Sequence, residues 1–186
     1  MRKTSLFFSG ALVMAFAIVS CKKESNGPED NDNEVITTVE ARVTEQGTSN
    51  TQVFKWEDID GIGGNNPVIE TIVLDAHKTY DVELALLDKT KSPASDVTEE
   101  IAEENEVHRF YFTPSAGLEL VVDGFDLDDA GAPLGIQSEW SAGGAGNGAI
   151  QILLRHYPNG GKDASDPATS GKSSTDADAV FPVEIR

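Results

Sequence analysis

Apolar and polar residues alternate with a period of two over most of residues 34–186, the pattern of strands that bury one face. Val35, Thr37, Val39, Ala41 and Val43 share one side of a first strand, opposite Glu34, Thr38, Glu40 and Arg42. Phe54 and Trp56 face inward on a second, with Val53 and Lys55 opposite. Residues 68–74 give a third, and Tyr80, Val82, Leu84 and Leu86 mark a fourth. The series continues with Phe110 and Phe112, then Leu118, Leu120 and Val122, then Leu134, Ile136 and Trp140. Ile150, Ile152 and Leu154 form the eighth run, and Phe181, Val183 and Ile185 the last. Short strands with Gly, Asn and Asp turns between them predict an all-β fold. The expected form is an antiparallel β-sandwich, immunoglobulin-like or related, with one wet face on each sheet. Pro182 has no N–H for a ladder, so the last strand is expected at an edge, or Pro182 at a bulge.

Two segments depart from the alternation. Asp96, with Glu99 three residues on, has the spacing of a helix start. Glu99, Glu100, Glu103, Glu104 and Glu106 follow, with Val97 and Ile101 as the apolar anchor. Acids oppose the helix dipole at its C-terminal end. The prediction is one short acidic helical crossover of about two or three turns. Residues 158–178 are rich in Gly, Ser, Asp and Lys without apolar periodicity, and are expected to be mobile.

The first 33 residues have a different character. Arg2 and Lys3 precede an apolar run that ends at Ser20 and Cys21, the layout of an export signal. Ile18-Val19-Ser20-Cys21 resembles the bacterial lipobox, whose cysteine is lipidated and becomes the mature N-terminus. The run over residues 6–19 is shorter than the roughly 20 residues that span a bilayer. Cys21 is the only cysteine, so no disulfide competes for it. Residues 22–33 carry nothing apolar enough to offset ordering entropy. The expected organisation is a signal peptide over 1–20, lipidated Cys21 and a disordered tether over 21–33, and a single sandwich domain over 34–186. Two acyl chains on Cys21 would anchor the domain stably.

Charge narrows the partners. The chain has 14 Lys+Arg against 32 Asp+Glu, and removing residues 1–20 takes away Arg2 and Lys3 and no acid, leaving a formal charge of −20. Such a surface repels phosphate backbones, so nucleic acid is excluded as a partner. Divalent cations and basic surfaces are favoured.

Several segments together resemble one family. They are residues 33–40, the turn over residues 58–67, the acidic crossover over residues 98–104, and His108-Arg109-Phe110-Tyr111-Phe112. Residues 126–135 and 153–158 belong with them. The resemblance is to uncharacterised small lipoproteins of Bacteroidetes-type bacteria, sometimes described as type 1 periplasmic-binding-fold proteins. That label implies two α/β lobes, whereas the strand pattern implies a sandwich. The family brings no activity. Lys22-Lys23-Glu24 is similar to the export signals such bacteria place after the lipid cysteine. An outer-membrane location follows, lipid-anchored and on the cell surface, with the periplasmic face as the alternative and an outer-membrane protein as a partner.

Candidate chemistry concentrates in two acidic turns. Asp58 and Asp60 stand at alternate positions before Gly61, with Asn65 beyond, like the first half of a calcium loop. Asp126 and Asp128 repeat the look in a second turn. Ca2+ is the cofactor these oxygens would take, although a metal-free hairpin has the same composition. His108 continues the face of Phe110 and His156 that of Leu154, and both read as strand-end residues with local hydrogen bonds. No His pair has helical metal-ligand spacing. Trp56, Trp140 and Tyr111 could form a sugar-stacking platform, but both indoles fall on inward faces, leaving Tyr111 for exposure. No nucleophile elbow or zinc-protease motif is present, so no catalytic residue is assigned. The expected role is binding or structural. A calcium-dependent sugar-binding or adhesion module, or a carboxylate-based glycan hydrolase, is the alternative.

The anchor gives the first prediction. A Cys21→Ala chain should lose lipid labelling and leave the outer-membrane fraction; unchanged fractionation would refute the lipobox reading.

Overall fold

Alternate apolar side chains from two sheets interdigitate over a single core, which is how a half-buried strand pattern is satisfied. The computed structural model describes residues 34–186 apart from Ile62, Asn159 and Gly160. The signal, Cys21 and the tether lie outside the described residues. In chain order come β1 (Thr38–Glu45), β2 (Thr51–Glu57), β3 (Val68–Ile69), β4 (Ile72–Leu74), β5 (Thr79–Asp88) and β6 (Ser95–Asp96). Next are α1 (Thr98–Glu103), β7 (His108–Pro114), β8 (Leu120–Asp123), β9 (Gln137–Ala142), β10 (Gly146–His156) and β11 (Ser174–Ile185). The larger sheet is ordered β3-β2-β1-β5-β9-β8, with β6 also on β5, and the smaller β4-β11-β10-β7. Strands hold 49% of the described residues and helix 4%, so the fold is an all-β sandwich and not a pair of α/β lobes. Trp140, Phe181, Ile150 and Leu154 are fully buried at its centre.

Three expectations about the strands and the helix change. The run over residues 68–74 divides between the sheets: β3 pairs with β2, and β4 runs parallel to β11. Glu70 marks the crossing, its carboxylate accepting the Lys55 N–H at 2.8 Å and its own N–H donating to the Lys55 carbonyl. Second, β11 is an interior strand. Ala149 bonds Ser115 on its β7 side, so Pro182, opposite Ala149, turns its nitrogen toward the other edge. There β4 pairing begins only at Val183. Proline is tolerated because no partner reaches it.

Third, α1 has six residues, and Val97, not Asp96, is its N-cap. Asp96 is taken up by β6, opposite Leu87, and its carboxylate accepts the Thr98 N–H at 2.9 Å. With no basic residue in the last turn the helix ends early. Val97 and Ile101 are its buried anchors, as their spacing predicts.

The long segment before β11, expected to be mobile, is stitched to the sandwich by cations. The Lys162 ammonium has no exposure and bonds Asp128 Oδ2 at 3.2 Å and the carbonyls of Asn105 and His108. Arg109 donates to the carbonyls of Asp163, Ala164 and Asp166. Arg155 donates to those of Ser170 and Ser173. Tyr111, expected to be exposed, stacks under Arg109 and bonds Tyr157 Oη at 2.6 Å and the Asp166 carbonyl at 2.8 Å. Burial pushes its phenol well above the usual range, and the Tyr157 hydroxyl adds to the shift.

Burial drives the Lys162 ammonium below its ordinary value. It also raises Asp128, but the Ala132 N–H, Lys162 and the Ala130 N–H outweigh it and hold the carboxyl low. Asp128→Asn and Lys162→Met each leave a buried charge without its partner and should each cost about 3–5 kcal/mol. Because Asp128 is depressed, its contribution is complete above the usual carboxylate range and lost as pH falls through the folded value. Chemical denaturation of the variants at neutral and acid pH measures both effects.

Candidate metal centre

His108 opens β7 and His156 closes β10, directly opposite each other in the ladder. Strand parity sends both rings to the core side, where they are 0% and 7% exposed. The imidazoles stack with centroids 4.7 Å apart and planes 23° from parallel. Asp176 should point outward by the same parity, since Ala177, Ala179 and Phe181 take the inward positions. It does not. Leu154 pairs with Ala177 and Arg155 with Thr175, so Asp176 is the extra residue of a bulge. A bulge re-aims a side chain, and the Asp176 carboxylate lies fully buried beside His108. Arg155 clamps the turn before the bulge, with Nη2 2.6 Å from the Ser173 carbonyl and Nε 3.0 Å from its hydroxyl.

The hydrogen bonding of this trio is incomplete. His108 Nδ1 lies 3.2 Å from the Glu104 carbonyl, which can only accept, so the proton belongs on Nδ1. In the neutral ring Nε2 is then an acceptor, 3.5 Å from Asp176 Oδ2, which is another acceptor. Neither Nε2 nor either Asp176 oxygen has a hydrogen-bond partner among the described residues, and all three atoms are buried. Unpaired buried acceptors are costly. A positive charge between them removes the conflict.

A proton on Nε2 would supply that charge for one contact. A metal ion would also use the second Asp176 oxygen and His156. One donor atom from each of the three residues lies within 4.8 Å of the others. Zn–N bonds of about 2.0–2.1 Å separate tetrahedral ligands by roughly 3.4 Å. The His108–Asp176 spacing already matches, and His156 has to close in. The Nδ1–carbonyl bond is the usual outer-shell support of a ligating imidazole. Two imidazoles and a carboxylate suit Zn2+ and its neighbours, whereas Ca2+ wants oxygens alone. Nearby Glu34 is raised above the usual carboxylate range by burial and by Glu100, with Glu104 and Asp176 adding to it and His108 opposing.

His156 also borders a recess of about 560 Å³ whose rim carries Glu103, Glu104, Glu106 and Asp129. A second groove, about 510 Å³, lies against the larger sheet, with Arg42, Asp81, Glu83 and Glu139 among its lining. Gln46 bridges Asp81 and Glu139 there, and no aromatic side chain lines it. Trp140 is buried and Trp56 packs on the core, so the indoles are structural.

The acidic turns are organised by their own backbone. Asp58 accepts the Gly61 N–H, and Asp60 accepts both the N–H and the Nδ2 of Asn65, at 3.0 and 2.6 Å. The Asn65 N–H and amide hold Asp60 below the usual range. A Cβ on Gly64 would stand 2.4 Å from Asp60 Cγ, so a larger residue there would displace the Asp60 carboxylate. Both Asn65 bonds fall on Asp60 Oδ2. Asp126 accepts the N–H groups of Gly135 and Gln137, and Asp128 is charge-balanced by Lys162. Neither turn gathers three acidic or imidazole donors among the described residues; the trio at His108 does. The inward parity of the two histidines is legible in the sequence. Their pairing needs the strand order, and Asp176 needs the bulge. No family model, curated protein or solved structure matches the chain.

Proposed function

We propose that this chain is a lipid-anchored, non-catalytic binding protein of the cell envelope whose ligand is a divalent transition-metal ion, held by His108, His156 and Asp176. The anchor rests on residues 1–33, and an outer-membrane protein is the partner that a surface or periplasmic tether would place beside it. The observation that carries the ligand is the buried facing of two acceptors, His108 Nε2 and Asp176, with no donor between them. Catalysis is not required by anything at the site: the donors are close and buried, and a turn of the stacked His156 ring toward the other two would complete the set for an ion.

Zn2+ or Co2+ at about a hundredfold above its dissociation constant should stabilise the full chain by about 2.7 kcal/mol, read as a rise in the thermal midpoint that a chelator reverses. Mg2+ and Ca2+ should give no comparable shift. Asp176→Asn should lose the Zn2+ response while folding at least as well without metal, because it removes an unpaired buried charge. A Zn2+ shift of equal size in Asp176→Asn, or no shift in the wild-type chain, would refute the metal reading.

A further inference from the structure

Three protein donors leave a tetrahedral ion one position short. Closed structural zinc sites use four protein ligands, while sites with three keep a position for water or an incoming group. His108 and Asp176 are fully shut in, and His156 is the donor that borders the acidic recess. The rim residues Glu103, Glu106 and Asp129 are exposed. Glu104 belongs to both parts: it lines the recess, and its carbonyl orients the His108 ring. The Lys162 ammonium at this end is buried and paired with Asp128, so it does not present a free charge to an approaching ion.

We infer that the recess at His156 is the route by which the metal reaches and leaves the trio, so that the protein carries an exchangeable ion and not a permanent structural one. The inference rests on the metal reading above. Several like charges around a concave opening concentrate a counter-ion and raise its association rate by one or more orders of magnitude, an effect that salt removes. The ligands set how long the ion stays; the rim sets how fast it arrives.

The experiment uses the lipidated full chain in neutral detergent, with Cys21 blocked by its lipid, and Co2+ as a probe whose absorption reports its ligands. Stopped-flow binding is compared between wild type and the Glu103→Gln/Glu106→Gln/Asp129→Asn variant. At low salt the variant should associate about tenfold more slowly. It should release Co2+ to a chelator at the wild-type rate and keep the same spectrum. Wild-type association should slow toward the variant's as NaCl is raised, an arm that needs no substitution. Equal association rates would overturn the inference. So would a changed Co2+ spectrum, because a rim carboxylate would then be a ligand, and so would metal that resists a chelator for hours. Failure of the wild-type chain to bind Co2+ or Zn2+ at all would instead overturn the metal reading itself, so the two failures are distinguishable.

Discussion

Two acceptors brought face to face inside a sheet constrain everything around them. His108 Nε2 and Asp176 meet because β7, β10 and β11 are neighbours, with His156 and His108 at one rung and a bulge one step away. Without the bulge, Asp176 would fall on the solvent side by parity. Remove the Glu104 carbonyl and the imidazole is free to swap tautomers, putting a proton between the acceptors. The short helix thus matters less for its own stability than for delivering that carbonyl beside the first residue of β7. Its early end at Glu103, where no basic residue meets the dipole, leaves the Glu104 carbonyl to accept the Val107 N–H and to bond the ring.

The same end of the sandwich shows two ways of neutralising a buried carboxylate. Asp128 is matched by Lys162, a partner supplied from the long segment before β11. Asp176 has no such lysine. A chain able to place one buried ammonium a few residues from the trio leaves the other carboxylate facing two imidazoles, which points to an external cation as its counter-charge. Lys162 also bonds the His108 carbonyl, so the ion pair that holds the segment down also fixes the backbone of His108.

Much of the fold is legible in the alternation, because burying one face is a local demand that each strand states for itself. The inward positions of Phe54, Trp140, Ile152 and Phe181 follow from it directly. What depends on distant partners is not legible. Residues 68–74 read as one strand because neither Glu70 nor Thr71 announces a change of sheet. The segment after β10 reads as mobile because its own residues are polar; its order comes from Arg109, Arg155 and Lys162 donating to its carbonyls, and backbone acceptors carry no sequence signature. The histidines show their facing but not their pairing. Asp176 shows nothing, since a bulge inverts the parity on which the reading relies.

Acidity in the sequence does not by itself say how a carboxylate is used. The eye goes to Asp58, Asp60, Asp126 and Asp128, where carboxylates cluster in sequence. Folded, these side chains bond the N–H groups of their own turns, the use that Asp most often has in a turn. A carboxylate with two N–H donors is content without a metal. One that is buried with none is not, whatever its neighbours in the sequence. The search for an ion site in an acidic protein therefore comes down to hydrogen-bond accounting, and in this sandwich that accounting leaves Asp176, and the imidazole it faces, unsettled.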